Sequence, residues 1–395
     1  STPIKSSAAS DVYKRQVVVF SSPVTSKTNV TSTVPFFSFG VKVVSDTIIS
    51  NANDSLLPHR ITLLFAGDLM QHQGQINAAR TPAGYDYSDC FKFVKEEISR
   101  ADIAVANLEV TLGGKPYRGY PAFSAPDEYL SAIREAGFNV LITANNHCLD
   151  RGKKGLERTI LMLDSLRIPY AGTYTNAETR EQRYPLMIEK NGFRIVLLNY
   201  TYGTNGLKAT SPNIVNYIDK ETMALDIRKA KALQPDVLIA CIHWGEEYQS
   251  LPNREQTSLA DWLLQQGVTH IIGSHPHVVQ PMELRTDSTA GSRHAVVYSL
   301  GNFISNMSAR RTDGGILFKL ELEKDSITRV TNCEYGLVWT SRPVLSRKKN
   351  YILYPINYPT DSLSVIERNH LKIFTKDTRS LFNKHNKGIK EYIFY

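Results

Sequence analysis

The chain has 395 residues, 42% of them hydrophobic and 10% aromatic, which supports a sizeable core and excludes a disordered or fibrous protein. The net charge of +8 comes mostly from residues 341–395, which hold 11 Lys/Arg against 4 Asp/Glu, so the remainder is close to neutral and gives no reason to expect a nucleic-acid partner. Four scattered cysteines without a CxxC spacing exclude a zinc ribbon, and no apolar run reaches the length of a membrane span.

Residues 1–58 are predicted to form a mobile leader or linker, because they are rich in Ser, Thr, Val and Asn and end at Pro58. From Ile61 onward, apolar runs alternate with helical patterns. The predicted strands cover residues 61–66, 101–106, 139–143, 193–199, 237–242 and 271–272. The predicted helices cover residues 87–100, 126–137, 154–166, 219–233 and 258–266. This alternation predicts an α/β domain with parallel strands and right-handed crossovers.

The pattern changes after residue 292. A strand is predicted at 295–300, and residues 315–323 alternate apolar and polar as in a sheet with one solvent-exposed face. We predict that residues 292–340 form a mostly antiparallel closing sheet. Residues 341–395 are basic and Tyr-rich, with a helix predicted around 363–381. This tail forms either a solvated face or a surface that contacts an anionic polymer or lipid headgroups.

The apolar runs end at polar clusters. These clusters are Gly67-Asp68, Asn107-Leu108-Glu109, Asn145-Asn146-His147, His243-Trp244-Gly245 and Gly273-Ser274-His275-Pro276-His277. In parallel α/β sheets, ligands bind beyond the carboxyl ends of the strands, so we expect the clusters to meet at one mouth. Each cluster alone has an ordinary explanation as a turn, a cap or a satisfied buried histidine. Their recurrence at five strand ends favours a site, whereas His270, inside a strand, is predicted to be sheet filler.

The side chains at these strand ends suit a divalent metal ion. The candidate ligands are Asp68, Glu109, Asn146, His243, His275 and His277. A mixed nitrogen and oxygen set favours Mn, Fe or Zn over Mg or Ca, and such an ion would activate water near neutral pH. His147 is a candidate general acid, which Asp150 is placed to orient. The candidate substrate contacts are Asn107, Asn145, Glu246 and Asn302, with Tyr202 and Glu247 as further candidates.

In their order along the chain, these clusters, together with Ser299-Leu300-Gly301-Asn302-Phe303, resemble the motifs of the CapA family of bacterial capsule (poly-γ-glutamate) biosynthesis proteins. That family is related to the calcineurin-like metallophosphoesterases, and the resemblance covers about Ile61 to Leu320. It implies a four-layer α-β-β-α sandwich of the metallophosphoesterase type, with two packed mixed sheets flanked by helices. It also implies metal-ligand positions for Asp68, Asn146, His243, His275 and His277, and a substrate-phosphate contact for His147. The domain division predicted is a leader (1–58), a CapA-like metallophosphatase-fold domain (59–340) and a C-terminal extension (341–395).

Two positions depart from the pattern of the wider superfamily. Met70 stands where a full dinuclear site has a histidine, and Asn107 stands where it has a bridging aspartate. Glu109, two residues after Asn107, is then the nearest carboxylate to that position in the sequence. Because one imidazole and one bridging charge are missing, the expected cofactor is a divalent metal ion in one copy, two or none.

The resemblance implies a metal-dependent hydrolase that acts on a bacterial surface polymer or its carrier. Two alternatives use the same pocket: a metal-independent acid/base enzyme, or a non-catalytic component that binds or exports polymer. The expected partners are an anionic polymer such as poly-γ-glutamate or a phosphorylated substrate, with membrane or capsule-machinery association and no nucleic acid. The resemblance favours an extracytoplasmic location, with a membrane anchor expected in an N-terminal segment missing from this sequence, which begins without Met.

Overall fold

Strands and helices alternate along most of this chain. The computed structural model describes residues 17–19, 58–287 and 291–394. The strands are β1 (Val17–Val19), β2 (His59–Leu69), β3 (Arg80–Thr81), β4 (Gly84–Tyr85), β5 (Ile103–Leu108), β6 (Val140–Ile142), β7 (Tyr170–Ala171), β8 (Thr173–Tyr174), β9 (Leu186–Lys190), β10 (Phe193–Thr201), β11 (Ile214–Val215), β12 (Val237–His243), β13 (His270–Ser274), β14 (Met282–Thr286), β15 (Arg293–Val297), β16 (Asn302–Ile304), β17 (Gly314–Lys324), β18 (Thr328–Ser341), β19 (Ile352–Pro355) and β20 (Lys390–Glu391). The helices are α1 (Gln73–Ala79), α2 (Lys95–Arg100), α3 (Asp127–Glu135), α4 (Gly152–Ser165), α5 (Ala177–Arg183), α6 (Lys220–Ala232), α7 (Arg254–Gln265), α8 (Pro343–Ser346) and α9 (Val365–His385), with a 3-10 helix at Thr360–Ser362. Most of the predicted leader, 1–58, lies outside the described residues.

The strands assemble into two mixed sheets. The first has the order β1-β9-β10-β12-β13-β15-β14, and the second has the order β19-β18-β17-β2-β5-β6-β7, with β16 paired to β2 and β20 paired to β18. Two short ribbons, β3-β4 and β8-β11, lie outside these sheets. Within each sheet, the strands that lead to polar clusters run parallel to one another, and β2 also pairs antiparallel with β17 on its other side. The predicted parallel pairing is therefore confirmed, and the strands are divided between two sheets.

The two sheets pack against each other and carry helices at their crossovers. Strand β2 contacts β13, β7 contacts β10, and β15 contacts β18. Helices α3 and α4 connect parallel neighbours of the second sheet, while α6 and α7 lie in the connections between parallel neighbours of the first. Each of these helices buries one apolar face, as α4 does with Leu156, Ile160 and Leu163. The α/β fold class, with two packed mixed sheets flanked by helices, is confirmed.

The helix predicted over 87–100 is wrong for its first half, since only Lys95–Arg100 forms α2. Asp86 Oδ1 accepts a hydrogen bond from the Ser88 N–H at 2.9 Å, which closes a side-chain turn. The next turn is closed by a bond from the Cys90 N–H to the Tyr87 carbonyl, three residues back. These local bonds compete with the helical ladder and delay the start of the helix.

The mostly antiparallel closing sheet predicted for residues 292–340 is confirmed in the antiparallel pairing of β17 with β18, but its grouping into one sheet is wrong. Strand β15 pairs with β13 in the first sheet, whereas β16, β17 and β18 belong to the second sheet, where β16 runs parallel to β2. Gly301 turns the chain between the two sheets with a φ of 71°, a backbone conformation that favours glycine.

The residues beyond 341 pack onto the second sheet. Strand β19 pairs antiparallel with β18, β20 pairs parallel with it, and α9 buries Phe374 and Phe382. The helix predicted around 363–381 is therefore confirmed as α9. The division at residue 340 stays a prediction, and it falls at the end of β18. Within the described ranges, no helix is both long and apolar enough to cross a bilayer.

Candidate metal centre

The predicted polar side chains meet where the carboxyl ends of strands from both sheets come together. In the second sheet, Asp68 is in register with Asn107 on one side and Asn302 on the other. In the first sheet, His243 is in register with Ser274. The two sheets touch here, since Asn107 Nδ2 lies 3.3 Å from His243 Nδ1. The mouth is thus built by two sheets.

Two glycines allow the backbones to approach closely beneath this mouth. A Cβ atom on Gly67 would overlap the carbonyl oxygen of Gly301, which accepts the Asp68 N–H at 3.1 Å. A Cβ atom on Gly273 would overlap the carbonyl oxygen of Tyr298. A larger side chain at either glycine would displace the strand that carries a candidate ligand.

The His275-Pro276-His277 segment holds two histidines in unusual backbone conformations. The φ angle is 103° at His275 and 59° at His277. Positive φ at a residue with a side chain costs on the order of 1–3 kcal/mol and is found most often at functional sites. The surrounding contacts therefore keep both imidazoles in a strained geometry.

The candidate ligand atoms form two overlapping groups. Asp68, Glu109 and His277 make one group, and Glu109, His243 and His275 make the other, with all ligand atoms of a group within 4.8 Å of one another. Glu109 Oε1 lies 3.8 Å from His243 Nε2 and 3.9 Å from His277 Nε2. Asn146 Oδ1 lies 2.9 Å from His243 Nε2. Glu109 is therefore the carboxylate common to both groups.

Unpaired polar atoms at the centre fit a bound cation. Asp68 Oδ2, Glu109 Oε1 and His275 Nδ1 are buried and have no hydrogen-bond partner. A buried polar atom without a partner costs on the order of 1–3 kcal/mol, and more when it is charged. Within residues 58–287 and 291–394, the ion-pair partners of both carboxylates are histidines alone. A divalent metal ion would satisfy these atoms and balance the two carboxylates.

Burial sets the protonation of the groups around this centre. Burial and repulsion from Asp68 raise the pKa of the Glu109 carboxyl well above its usual range. Burial and the neighbouring histidines lower the pKa of His243 well below its usual range and that of His275 to about 3. Both imidazoles are therefore neutral near pH 7, the form that binds metal ions. A bound metal ion would lower the pKa of Glu109 again, because a positive charge favours the ionised carboxylate.

Three carboxamides predicted as substrate contacts make hydrogen bonds within the protein. Asn107 Nδ2 donates to Asp68 Oδ1 at 2.8 Å, and Asn145 Nδ2 donates to the Leu108 carbonyl at 2.8 Å. Asn302 Oδ1 lies 3.1 Å from His277 Nδ1. All three residues are buried and hold candidate ligands or the strand between them. A substrate role for them stays a prediction.

His147 and Asp150 have the arrangement predicted for an oriented acid. His147 Nδ1 lies 2.8 Å from Asp150 Oδ2, which also accepts the Phe123 N–H at 2.9 Å. Asp150 therefore fixes the Nδ1 side of the ring and leaves Nε2 for another partner. Glu246, by contrast, is exposed, and its Oε1 accepts a bond from Asn253 at 3.4 Å. The roles predicted for these residues stay predictions.

Sequence reasoning missed three residues that border the centre. Asn205 Oδ1 accepts a hydrogen bond from Asn146 Nδ2 at 3.3 Å, and the rings of Tyr120 and Tyr248 lie beside His147 and His277. All three lie in loops, where hydrophobic periodicity carries no signal.

Comparison with known proteins gives a family and several distant likenesses. Residues 62–307 match the family model described as "Bacterial capsule synthesis protein PGA_cap". The chain is 27% identical over 279 residues to "Capsule biosynthesis protein CapA" of Bacillus anthracis, covering 67% of this chain and 64% of that protein. It is 27% identical over 299 residues to "PGA biosynthesis protein CapA" of Bacillus subtilis (strain 168), covering 73% and 72%. The NAD nucleotidase of Haemophilus influenzae gives a TM-score of 0.45 at 11% identity, covering 86% of this chain and 65% of that one. The 5'-nucleotidase of Candida albicans gives a TM-score of 0.35 at 12% identity, covering 82% and 59%.

Proposed function

The chain belongs to the PGA_cap family of bacterial capsule synthesis proteins, and from this premise we propose that it is a metal-dependent hydrolase acting on a surface polymer or its carrier. The observation that supports this most directly is the set of unpaired buried atoms on Asp68, Glu109 and His275. Three buried ligand atoms that lack hydrogen-bond partners at one centre are costly unless something binds them. A divalent metal ion matches their charge and chemistry.

The ligands proposed for the ion are Asp68, Glu109, Asn146, His243, His275 and His277. Mn, Fe or Zn suits this mixture of imidazole and oxygen ligands, in one copy or two. Because Glu109 belongs to both groups of candidate ligands, it would supply the carboxylate charge that Asn107 lacks. Asn146 adds a fourth candidate ligand to the group of Glu109, His243 and His275, whereas Met70 offers no imidazole to the group of Asp68, Glu109 and His277. We therefore expect the group with His243 and His275 to bind its ion more tightly.

When bound, the ion would polarise the oxygen of the scissile phosphoryl or carbonyl group and lower the pKa of a coordinated water. The protein residues then supply the proton for the leaving group. The proposed donor is His147, whose Nδ1 is held by Asp150 at 2.8 Å, so that Nε2 can give a proton to the departing oxygen or nitrogen. Asn107 and Asn302 keep the carboxylate and imidazole ligands in place through their hydrogen bonds.

The substrate and location are proposed from what the relatives are called. Their names refer to capsule and PGA biosynthesis, which supports an anionic polymer such as poly-γ-glutamate as the substrate. A phosphorylated substrate and a location outside the cytoplasm are further parts of the proposal. Association with the membrane or with capsule machinery is part of the same proposal. The chain spans 64% of the B. anthracis relative, and activities of that whole protein need not lie in the shared part.

Metal analysis coupled to an activity screen tests this proposal. The full chain is chelated mildly, reconstituted with Mn, Fe or Zn, and assayed against phosphoesters and γ-glutamyl amides. We expect one or two ions per chain, and hydrolysis that disappears on chelation and returns on reconstitution. Full activity in the metal-free protein would contradict the proposal.

A matched pair of variants assigns the metal to this centre. Glu109→Gln replaces the shared carboxylate with a neutral side chain of the same shape, and we expect it to lose bound metal. Glu255→Gln makes the same change on the exposed face of α7 and should keep the wild-type metal content. Equal metal content in the two variants would place the ion elsewhere.

A further inference from the structure

Three exposed aromatic rings lie around the candidate metal centre. Across residues 58–287 and 291–394, the exposed Phe, Tyr and Trp side chains are Tyr120, Tyr202 and Tyr248, with exposed fractions of 71%, 47% and 51%. Every other such side chain in those ranges is buried or half-buried. Exposed aromatic rings gathered in one area are typical of binding surfaces.

Each of the three tyrosines borders a histidine of the candidate metal centre. The ring centroid of Tyr202 lies 4.5 Å from that of His275, and the centroid of Tyr248 lies 6.2 Å from that of His277. The centroid of Tyr120 lies 6.3 Å from that of His147. The tyrosines reach this position from separate loops after β5, β10 and β12. We call Tyr120, Tyr202 and Tyr248 the tyrosine rim.

The backbone holds two members of the tyrosine rim against the centre. The Tyr202 N–H donates to the His243 carbonyl at 3.0 Å, and the Tyr248 N–H donates to the Pro276 carbonyl at 2.8 Å. Tyr248 also has a φ of 66°, which is costly for a bulky residue. Strain of this kind persists where the surroundings enforce it, and it clusters at ligand-binding sites. The rim is therefore tied to the backbone that positions the proposed ligands.

The carboxylates of Glu246 and Glu247 precede Tyr248 in the sequence, and the Arg311 guanidinium reaches Ser250 on the other side of this tyrosine, at 2.9 Å. Burial and, after it, the nearby carboxylate of Glu247 raise the pKa of Tyr202 and of Tyr248 to about 12, which shows that Glu247 lies close to both phenols. Glu247 is exposed, as is Glu246. An exposed carboxylate accepts hydrogen bonds from hydroxyl groups and repels a second anion. This combination suits a neutral, hydroxyl-bearing group better than a chain of carboxylates.

We propose that the tyrosine rim binds the sugar ring of a sugar phosphoester, whose phosphate group lies at the metal centre. This inference rests on the proposed function, and it selects the phosphorylated substrate over poly-γ-glutamate. A pyranose ring presents an apolar C–H face with hydroxyl groups at its edge. A tyrosine ring presents an apolar face on which the C–H face of the sugar can stack. The exposed carboxylate of Glu247 would then accept hydrogen bonds from the hydroxyl groups of the sugar.

The reaction is a hydrolysis and needs no further reactant. Water supplies the hydroxyl group that bonds to phosphorus, the bond from phosphorus to the sugar oxygen breaks, and that oxygen leaves with the electron pair of the broken bond. His147 gives it a proton, and the proton lost by the attacking water balances the step. The products are a free sugar hydroxyl and the phosphate.

The test compares a sugar phosphate with a phosphate that has no ring. The metal-loaded full chain is assayed with glucose 1-phosphate and with glycerol 2-phosphate. We expect a higher kcat/KM for the sugar phosphate. Replacing Tyr202 or Tyr248 with Ala should lower the ratio of the two kcat/KM values by about 2- to 12-fold for each ring. Equal ratios in wild type and both Ala variants would overturn the inference.

Two sets of variants guard against a general effect on folding. Tyr202→Phe and Tyr248→Phe keep the ring and should keep the preference, whereas a loss equal to that of the Ala variants would overturn stacking. Leu225→Ala removes a side chain of similar exposure, 52%, on α6 and should keep the wild-type ratio. A Leu225→Ala ratio that falls as far as those of the tyrosine variants would also overturn the inference.

The outcomes for the inference and for the proposed function can be told apart. Metal-dependent hydrolysis of γ-glutamyl amides without any hydrolysis of phosphoesters would overturn the inference and leave the proposed hydrolase standing. If no probe is hydrolysed, the proposed function fails, and saturation-transfer NMR with glucose 1-phosphate decides the inference. Saturation transfer to the sugar protons in wild type that disappears in the Ala variants would support sugar binding by the tyrosine rim. The absence of transfer in wild type would overturn the inference.

Discussion

The two ends of β13 carry buried histidines that differ in their hydrogen bonding. At the start of the strand, His270 Nδ1 accepts the Ala295 N–H at 3.0 Å. Its neighbour His294 contacts the Thr269 carbonyl and the Ser292 hydroxyl, both at 3.0 Å. Just beyond the end of the strand, His275 Nδ1 is buried without any partner. The same residue type on the same strand is satisfied at one end and unsatisfied at the other.

Burial alone does not separate the two ends. It lowers the pKa of His270 and of His275 to about 3 in each case. A cavity of about 300 Å³ also lies at the end with His270, bordered by Asp236, His294 and Arg329. What distinguishes the other end is a pair of carboxylates with histidines as their only ion-pair partners among the described residues, and three unpaired ligand atoms. The clustering of three such atoms at one centre, and neither burial nor cavity size, distinguishes the candidate site from the other end of the strand.

The largest expected effect comes from exchanging the two histidines for alanine in turn. His275→Ala removes a proposed ligand, so we expect metal affinity to fall by more than about 100-fold, the upper end for changes to groups that merely support ligands. Turnover should fall to background with it. His270→Ala should keep the metal content of wild type. Metal analysis and the metal-induced rise in thermal midpoint measure both variants.

The His270→Ala variant also controls for damage to the fold. It leaves the Ala295 N–H without its acceptor, which costs on the order of 1–3 kcal/mol of stability. Equal loss of metal from both variants would show that the centre responds to general destabilisation, and the distinction between the two ends would collapse.

A smaller effect is expected at the proposed acid, which borders the centre without binding the ion. His147→Gln should lower kcat/KM by roughly 10²- to 10⁴-fold while metal content stays as in wild type. Asp150→Asn keeps the imidazole but weakens its orientation, so we expect a loss of roughly 10- to 100-fold. Steady-state kinetics beside metal analysis measures both. Loss of bound metal in His147→Gln would show that this residue binds the ion, and would contradict its proposed role as the acid.

The place of the candidate ligands at one edge of the fold could be predicted from sequence, because each follows an apolar run. Asp68, His243 and His275 stand at or just after the last residues of buried strands, and that placement depends only on local pattern. The division of these strands between two sheets could not be predicted from the pattern, because the apolar runs of both sheets look alike. The resemblance to a family implied two sheets, and the topology confirms them.

The length of the Glu109 side chain decides which atoms it meets, and this could not be predicted from the sequence. Glu109 follows Asn107 by two residues, and its longer side chain brings Oε1 within 4 Å of histidines from the opposite sheet. A strand pattern gives the direction of a side chain but not the atom that it meets. The tyrosine rim was harder still, because Tyr120 and Tyr248 lie in loops. The helix predicted over 87–100 failed for a related reason, since one side-chain turn at Asp86 overrode the apolar spacing.

The smallest expected effect concerns acid stability at the satisfied end of β13. Burial lowers the pKa of His270 to about 3, while the unfolded chain titrates near its ordinary value of 6.5. The unfolded state therefore binds a proton that the folded state refuses, so stability falls as pH drops below 6.5. His270→Gln removes this group. Between pH 6 and pH 5, the free energy of unfolding of this variant should therefore fall by about 1 kcal/mol less than that of wild type. Urea unfolding at the two pH values measures the difference, and added metal should leave it unchanged because His270 does not face the centre. A metal-dependent change in this difference would mean that the two ends of the strand are coupled, and would remove the contrast on which the assignment of the site depends.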